Sequence, residues 1–126
     1  MSALDGFRAF NFNEGVPYVS VTSNGMTFNK AVIMKLGYPE HVVLLIDDEN
    51  KRIAIQVCEE EAPNSVSFFK QNKNNVLSVR WNGKDLLNTI RGLTGWDLHK
   101  EAFKVDGVLL REDRAMLFDL NTATRM

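Results

Sequence analysis

Cysteine is nearly absent from this chain. A single residue, Cys58, can close no internal bridge and build no cysteine-based metal cage. Apolar runs are short: none reaches 18 uncharged residues, so no segment reads as a transmembrane helix. Met1 to Asn13 has neither a basic start nor a continuous apolar stretch, which speaks against a secretory signal and makes the cytoplasm the expected compartment. An excess of basic charge is also missing. The 15 Lys and Arg residues against 16 Asp and Glu give a net charge of −1, so there is no whole-domain basic footprint for nucleic acid. What is present is ordinary for a globular protein: 44% hydrophobic and 25% charged residues exclude disordered and collagen-like classes. At 126 residues, one domain spanning 1–126 is expected.

The organising feature is an internal repeat. A shift of 58 residues aligns Phe10 with Phe68, Ser20-Val21 with Ser78-Val79 and Asn24-Gly25 with Asn82-Gly83. It also aligns Gly37 with Gly95 and His41 with His99. These are seven identities over the 32 positions from 10 to 41. Chance would give about two at a matching frequency of roughly 6%. Similar pairs extend the match: Val19/Leu77, Phe28/Leu86, Val32/Ile90 and Tyr38/Trp96. The first repeat spans 7–58 and the second 65–120, joined by the charged stretch Glu59-Glu60-Glu61-Ala62-Pro63, which reads as a solvated linker. A unit of about 50 residues buries too little surface to be stable by itself, so the two are expected to share one core about a pseudo-twofold axis.

Each repeat predicts one short helix. Thr27 and Asp85 are good N-cap residues, Gly37 and Gly95 are suited to a left-handed stop, and helices are expected near 28–36 and 86–94. Phe28, Val32, Ile33 and Leu36 form one apolar face, and Leu86, Leu87, Ile90 and Leu93 the other. Alternating segments predict strands at 18–22 and 76–81, and further strands at 42–46, 52–57, 102–105, 108–110 and 114–120. Two more are expected around 10–12 and 65–69. Asp47 to Asn50 reads as a turn, and so does Asp106-Gly107. The expected fold class is therefore α+β and β-rich, with strand, strand, helix, strand, strand in each half.

The stretch from Gly25 to Gly37, followed by Val42–Ile46 and Lys51–Ile55, resembles half of an AbrB/MazE/SpoVT-type swapped-hairpin domain. Lys30 and Leu36-Gly37 sit at that family's spacing. Asn29 stands where the family has proline, and Ile33 and Met34 where it commonly has arginine. The resemblance covers about residues 19–57 and, more faintly, 77–120. It implies a swapped-hairpin barrel assembled within one chain, and DNA as a partner.

The candidate residues carry two readings each. His41 and His99 are equivalent under the repeat: a symmetric pair for a metal or a pH response, or two turn residues inherited by duplication. No further ligand accompanies them at a recognisable spacing, and no metal or cofactor is assigned. Cys58, beside three glutamates, is disfavoured as a thiolate and reads as a strand-end residue. Trp81-Asn-Gly-Lys84 is either an exposed stacking loop or a packed tryptophan beside a turn. Gly92–Trp96 lacks the ending of a phosphate loop and reads as a helix stop, with Trp96 in the core beside Tyr38. Phe7, Phe10 and Phe12 must pack either on their own domain or across a homodimer interface.

No catalytic constellation emerges, so a non-enzymatic role is expected. The halves carry opposite charge: residues 1–64 hold five basic and nine acidic groups, residues 65–126 ten and seven. The first reading is a small regulatory, DNA-binding protein contacting phosphates through Lys30, Lys35, Arg80, Lys84 and Arg91. The alternative is a protein-interaction or assembly module that works as a homodimer without nucleic acid.

Overall fold

A computed structural model describes residues 3–9, 15–71 and 77–126. Alternation builds most of it. β1 (Tyr18–Thr22) turns through Ser23-Asn24 into β2 (Gly25–Phe28), and the short helix α1 (Lys30–Lys35) follows. β3 (His41–Asp47) and β4 (Arg52–Val57) form a hairpin, and β5 (Val66–Ser67) is a brief strand after the acidic linker. β6 (Val79–Trp81) leads into α2 (Lys84–Thr94), then β7 (Phe103–Leu110) and β8 (Ala115–Asp119) form a second hairpin. A 3₁₀ turn (Leu120–Thr122) and β9 (Thr124–Arg125) complete the described chain. The fold is α+β and β-rich.

All strand pairs are antiparallel, in the order β5-β3-β4-β8-β7-β1-β2-β6, with β9 also paired to β7. The sheet curls until its ends meet: Trp81 of β6 donates its indole N–H to the Ser67 carbonyl of β5 at 3.3 Å. The concave side holds the core. Phe28 lies at its centre, fully buried, with its ring centroid 5.0 Å from Trp81, 5.4 Å from Phe68 and 5.7 Å from Phe118. Val19, Val21, Ile53, Ile55, Val105 and Met116 join it from alternate strand positions, and Val32, Ile33 and Ile90 from the helices.

Several local expectations are corrected. Gly25–Phe28 is a strand and not the start of a helix, so Thr27 lies in β2 and α1 begins later, at Lys30. The cap is Asn29, whose side-chain oxygen accepts from the Val32 N–H at 3.3 Å. α2 starts earlier than expected, with Gly83 at the cap position and Asp85 inside the first turn. The left-handed glycine stop holds at both Gly37 (φ 80°) and Gly95 (φ 75°). Asp106-Gly107 makes no turn: β7 runs unbroken, and Gly107 pairs with Phe118. A β-carbon at Gly107 would sit 2.9 Å from the side chains of Met116 and Phe118, so the residue makes room for the core. Gly25 serves a similar end, because a β-carbon there would meet the Trp81 carbonyl at 2.5 Å and separate β2 from β6. Tyr38 and Trp96 do not share a neighbour. Tyr38, 45% exposed, meets Phe69 edge-on, whereas Trp96 stacks on Phe103 at 4.2 Å. The expected strand at 10–12 lies outside the described residues.

Candidate functional site

Two surfaces stand out, both on the half of the sheet formed by the hairpins. The first is the convex face of β3-β4-β8-β7. Its registers align Leu45 with Ala54, Ala54 with Leu117 and Leu117 with Val108, so one aliphatic row crosses four strands. Leu45 is 45% exposed and Val108 59%. Val43, Gln56, Ala115 and Leu110 flank the row on one side, with Ala115 buried. On the other side Arg52 stands between Asp47 and Asp119 in register. A groove of about 290 Å³ follows this face, lined in part by Leu45, Ala54, Leu110 and Leu117.

The polar border is anchored by Asp47. It accepts from the Asn50 side chain at 3.0 Å and the Asn50 N–H at 3.1 Å, and from the Arg52 guanidinium at 2.7 and 3.1 Å. The Asn50 amide first, and then the Arg52 guanidinium, hold its carboxyl at about 2, below the usual value of 3.8.

The second surface is a depression of about 250 Å³ between the C-terminal end of α1 and the turn of the β7–β8 hairpin. Met34, Lys35, Leu36 and Gly37 line it from the helix, and Leu109, Arg111 and Arg114 from the hairpin. Among the described residues three cationic side chains border it and no carboxylate does. Sequence reasoning had named Lys35. It missed Arg111 and Arg114, because nothing local links a helix end to a turn so distant in the chain.

The other expected cations do not join Lys35. Lys30 is exposed at the start of α1. Arg80 on β6 donates to the Thr27 hydroxyl at 3.2 Å. Lys84 and Arg91, seven residues apart, share an exposed side of α2 that is turned away from the buried Ile90. Phe7 is 77% exposed, while Phe10 and Phe12 lie outside the described residues. Trp81 takes the packed reading, as its three contacts with Phe28, Phe68 and Ser67 require.

His41 and His99 sit in different surroundings. His41, at the start of β3, lines a depression with Glu40, Cys58, Glu59, Glu60 and Glu61. His99 is exposed after α2, and its N–H donates to the Asp97 carboxylate at 3.1 Å. Among the described residues no three His, Cys, Asp or Glu side chains are grouped to hold a metal ion. No helix among them is long and apolar enough to cross a membrane.

No family model, curated protein or solved structure matches this chain.

Proposed function

We propose that the chain is a non-catalytic interaction module that works as a homodimer, with the convex face of β3-β4-β8-β7 as its contact. The observation that carries this reading is the aliphatic row Leu45–Ala54–Leu117–Val108 across four strands, exposed at its Leu45 and Val108 ends and half-buried at Ala54 and Leu117 between them. Isolated exposed aliphatics are common, but a contiguous strip on a sheet face is a marker of association. The row is aliphatic from either end, which suits an isologous contact, where a surface must meet its own copy.

Size sets the strength. Strand spacing of about 4.8 Å and a rise of about 3.4 Å per residue give this face roughly 300–400 Å² per chain. Two such faces fall short of the roughly 1,200–2,000 Å² of a stable complex, so the dimer is weak, roughly tens of micromolar or weaker. Sedimentation equilibrium over a wide concentration range tests it. Self-association abolished by Leu45→Asp and by Val108→Asp, with circular dichroism unchanged, is the expected result. A chain that stays monomeric at the highest concentration sinks the reading, as does a dimer indifferent to both charges.

The same module reads as two descendants of one strand-strand-helix-strand-strand unit around a shared core. Exchange β1 with β5, β2 with β6, β3 with β7 and β4 with β8. Six of the seven ladders along the sheet path fall on observed ladders, and the seventh falls on β5 and β6, which the Trp81–Ser67 bond joins. The hairpins support it further: 48–51 and 111–114 are both four-residue turns whose last residue, Lys51 or Arg114, is left-handed at φ 55° or 51°. By this exchange β6 corresponds to β2, whereas the 58-residue shift set it against β1.

A second reading, DNA binding of the AbrB-like kind, draws on the exposed side of α2, where Lys84, Asn88 and Arg91 lie together with Asp85. With Arg80 this offers two or three phosphate contacts. At a slope of about −0.9 per contact, log affinity would then fall with log salt by only about two to three. A salt-dependent mobility shift lost in Lys84→Gln/Arg91→Gln favours this reading over the first, and no shift at low salt removes it.

A further inference from the structure

We propose that the depression between α1 and the β7–β8 turn is an anion site for a small phosphorylated molecule, held by Lys35, Arg111 and Arg114. This does not rest on the dimer: the residues lie at a helix end and a hairpin turn, not on the aliphatic row.

Three observations support it. Among the described residues the depression is bordered by three cations and no carboxylate. Among the described residues none of the three has an ion-pair partner, although Glu112 and Asp113 stand between the two arginines in the turn. Unpaired like charges gathered at one concavity repel one another, and an anion relieves that repulsion. The chemistry of the donors also selects the ligand. Two guanidinium groups offer planar forks matched to phosphate oxygens, and an ammonium adds a point charge. Finally, the volume of about 250 Å³ is small for a drug-sized ligand, and Leu36 and Leu109 offer apolar contact beside the charges. This suits a phosphate carried on a few carbon atoms.

The molecule contains its own control. The end of α2 and the β3–β4 turn form a comparable depression of about 240 Å³, lined by Lys51, Thr94, Trp96, Phe103, Leu120, Asn121 and Ala123. The 3₁₀ turn packs there: the Leu120 N–H donates to the Lys51 carbonyl at 3.0 Å, and the Asn121 side chain to the Asn50 carbonyl at 2.8 Å. With one cation in place of three, it is not an anion site.

The test is titration of the full chain with inorganic pyrophosphate and with glycerol 3-phosphate, followed residue by residue in amide NMR spectra. The expected result is saturable binding, about millimolar for such exposed charges, with shifts confined to residues 34–37 and 109–114. Arg111→Gln and Arg114→Gln each weaken it several-fold, and together by about tenfold or more. Lys51→Gln leaves it unchanged. Binding of glycerol 3-phosphate strengthens from pH 5 to pH 7.5, as its second proton, with a pKa of about 6, is lost. Shifts spread over the whole basic surface, binding indifferent to the arginine variants, or no saturation with either probe would overturn the proposal. So would a DNA duplex that shifts the same residues more tightly than either small anion, because the site would then belong to nucleic acid.

Discussion

The two helices are held in opposite ways. α1 has six residues, too few to persist by itself, yet Ala31, Val32, Ile33 and the following Leu36 are all buried. Its cap, Asn29, does more than start a helix. The side chain accepts from the Tyr18 N–H at 3.0 Å as well as from Val32, and donates to the Val16 carbonyl at 2.8 Å, so it ties helix to β1. α2 is almost twice as long, starts at Gly83 with no side-chain cap, and fully buries only Ile90. Leu86, Leu87 and Leu93 are half-covered. A short helix thus survives through tertiary burial and a multivalent cap, and a longer one rests on its own turns plus one anchor.

The largest effects should come from burial. Ile33→Ala in α1 is expected to cost about 2–5 kcal/mol, as for a buried isoleucine that leaves a cavity, whereas the partly exposed Leu93→Ala in α2 should cost about half as much or less. Urea denaturation of both variants measures the difference, and equal losses would break the contrast. Next come the caps. Asn29→Ala should destabilise by about 1–2 kcal/mol, and Gly83→Ser should change stability by only a few tenths. A thermal melt resolves the first, and an Asn29→Ala loss no larger than that of Gly83→Ser would show the three hydrogen bonds to be superfluous.

The smallest effect separates the hairpins. The β3–β4 turn is bordered by Asp47, and the corresponding place before the β7–β8 turn holds Leu110. Asp47 has a folded value of about 2, below its unfolded one near 3.9. Its contribution is therefore fully present above pH 4 and is lost as pH falls through 2. Asp47→Asn should lower stability slightly at neutral pH and flatten the acid side of the stability–pH curve, so that variant and parent converge as pH falls through 2. Urea midpoints between pH 2 and 5 check this, and a variant with the parent's acid slope would show that other carboxylates carry it.

Much of the architecture was legible in local pattern, because strand alternation and turn chemistry act over a few residues. Tyr18–Thr22 and the β3 and β4 runs were readable from their spacing, and so were Val32, Ile33 and Ile90 as buried helix positions. Thr27 misled because two cap-competent residues stand two apart, and only the sheet chooses between them. Once Phe28 is drawn into the aromatic cluster, Gly25–Phe28 is a strand and the cap falls to Asn29. Asp106-Gly107 misled for a related reason. A glycine needed for a turn and a glycine needed to admit Met116 and Phe118 are the same letter.

Residue order by itself determined the β-rich composition of elements, the helix stop at Gly95 and the opposite charge of the two halves, since each depends on neighbours along the chain. Tertiary structure decided the rest. Antiparallel register lined Leu45, Ala54, Leu117 and Val108 into one row, and the docking of a helix end on a remote hairpin gathered Lys35, Arg111 and Arg114. Both features depend on which strands become neighbours, and that choice is made by the burial of the shared core.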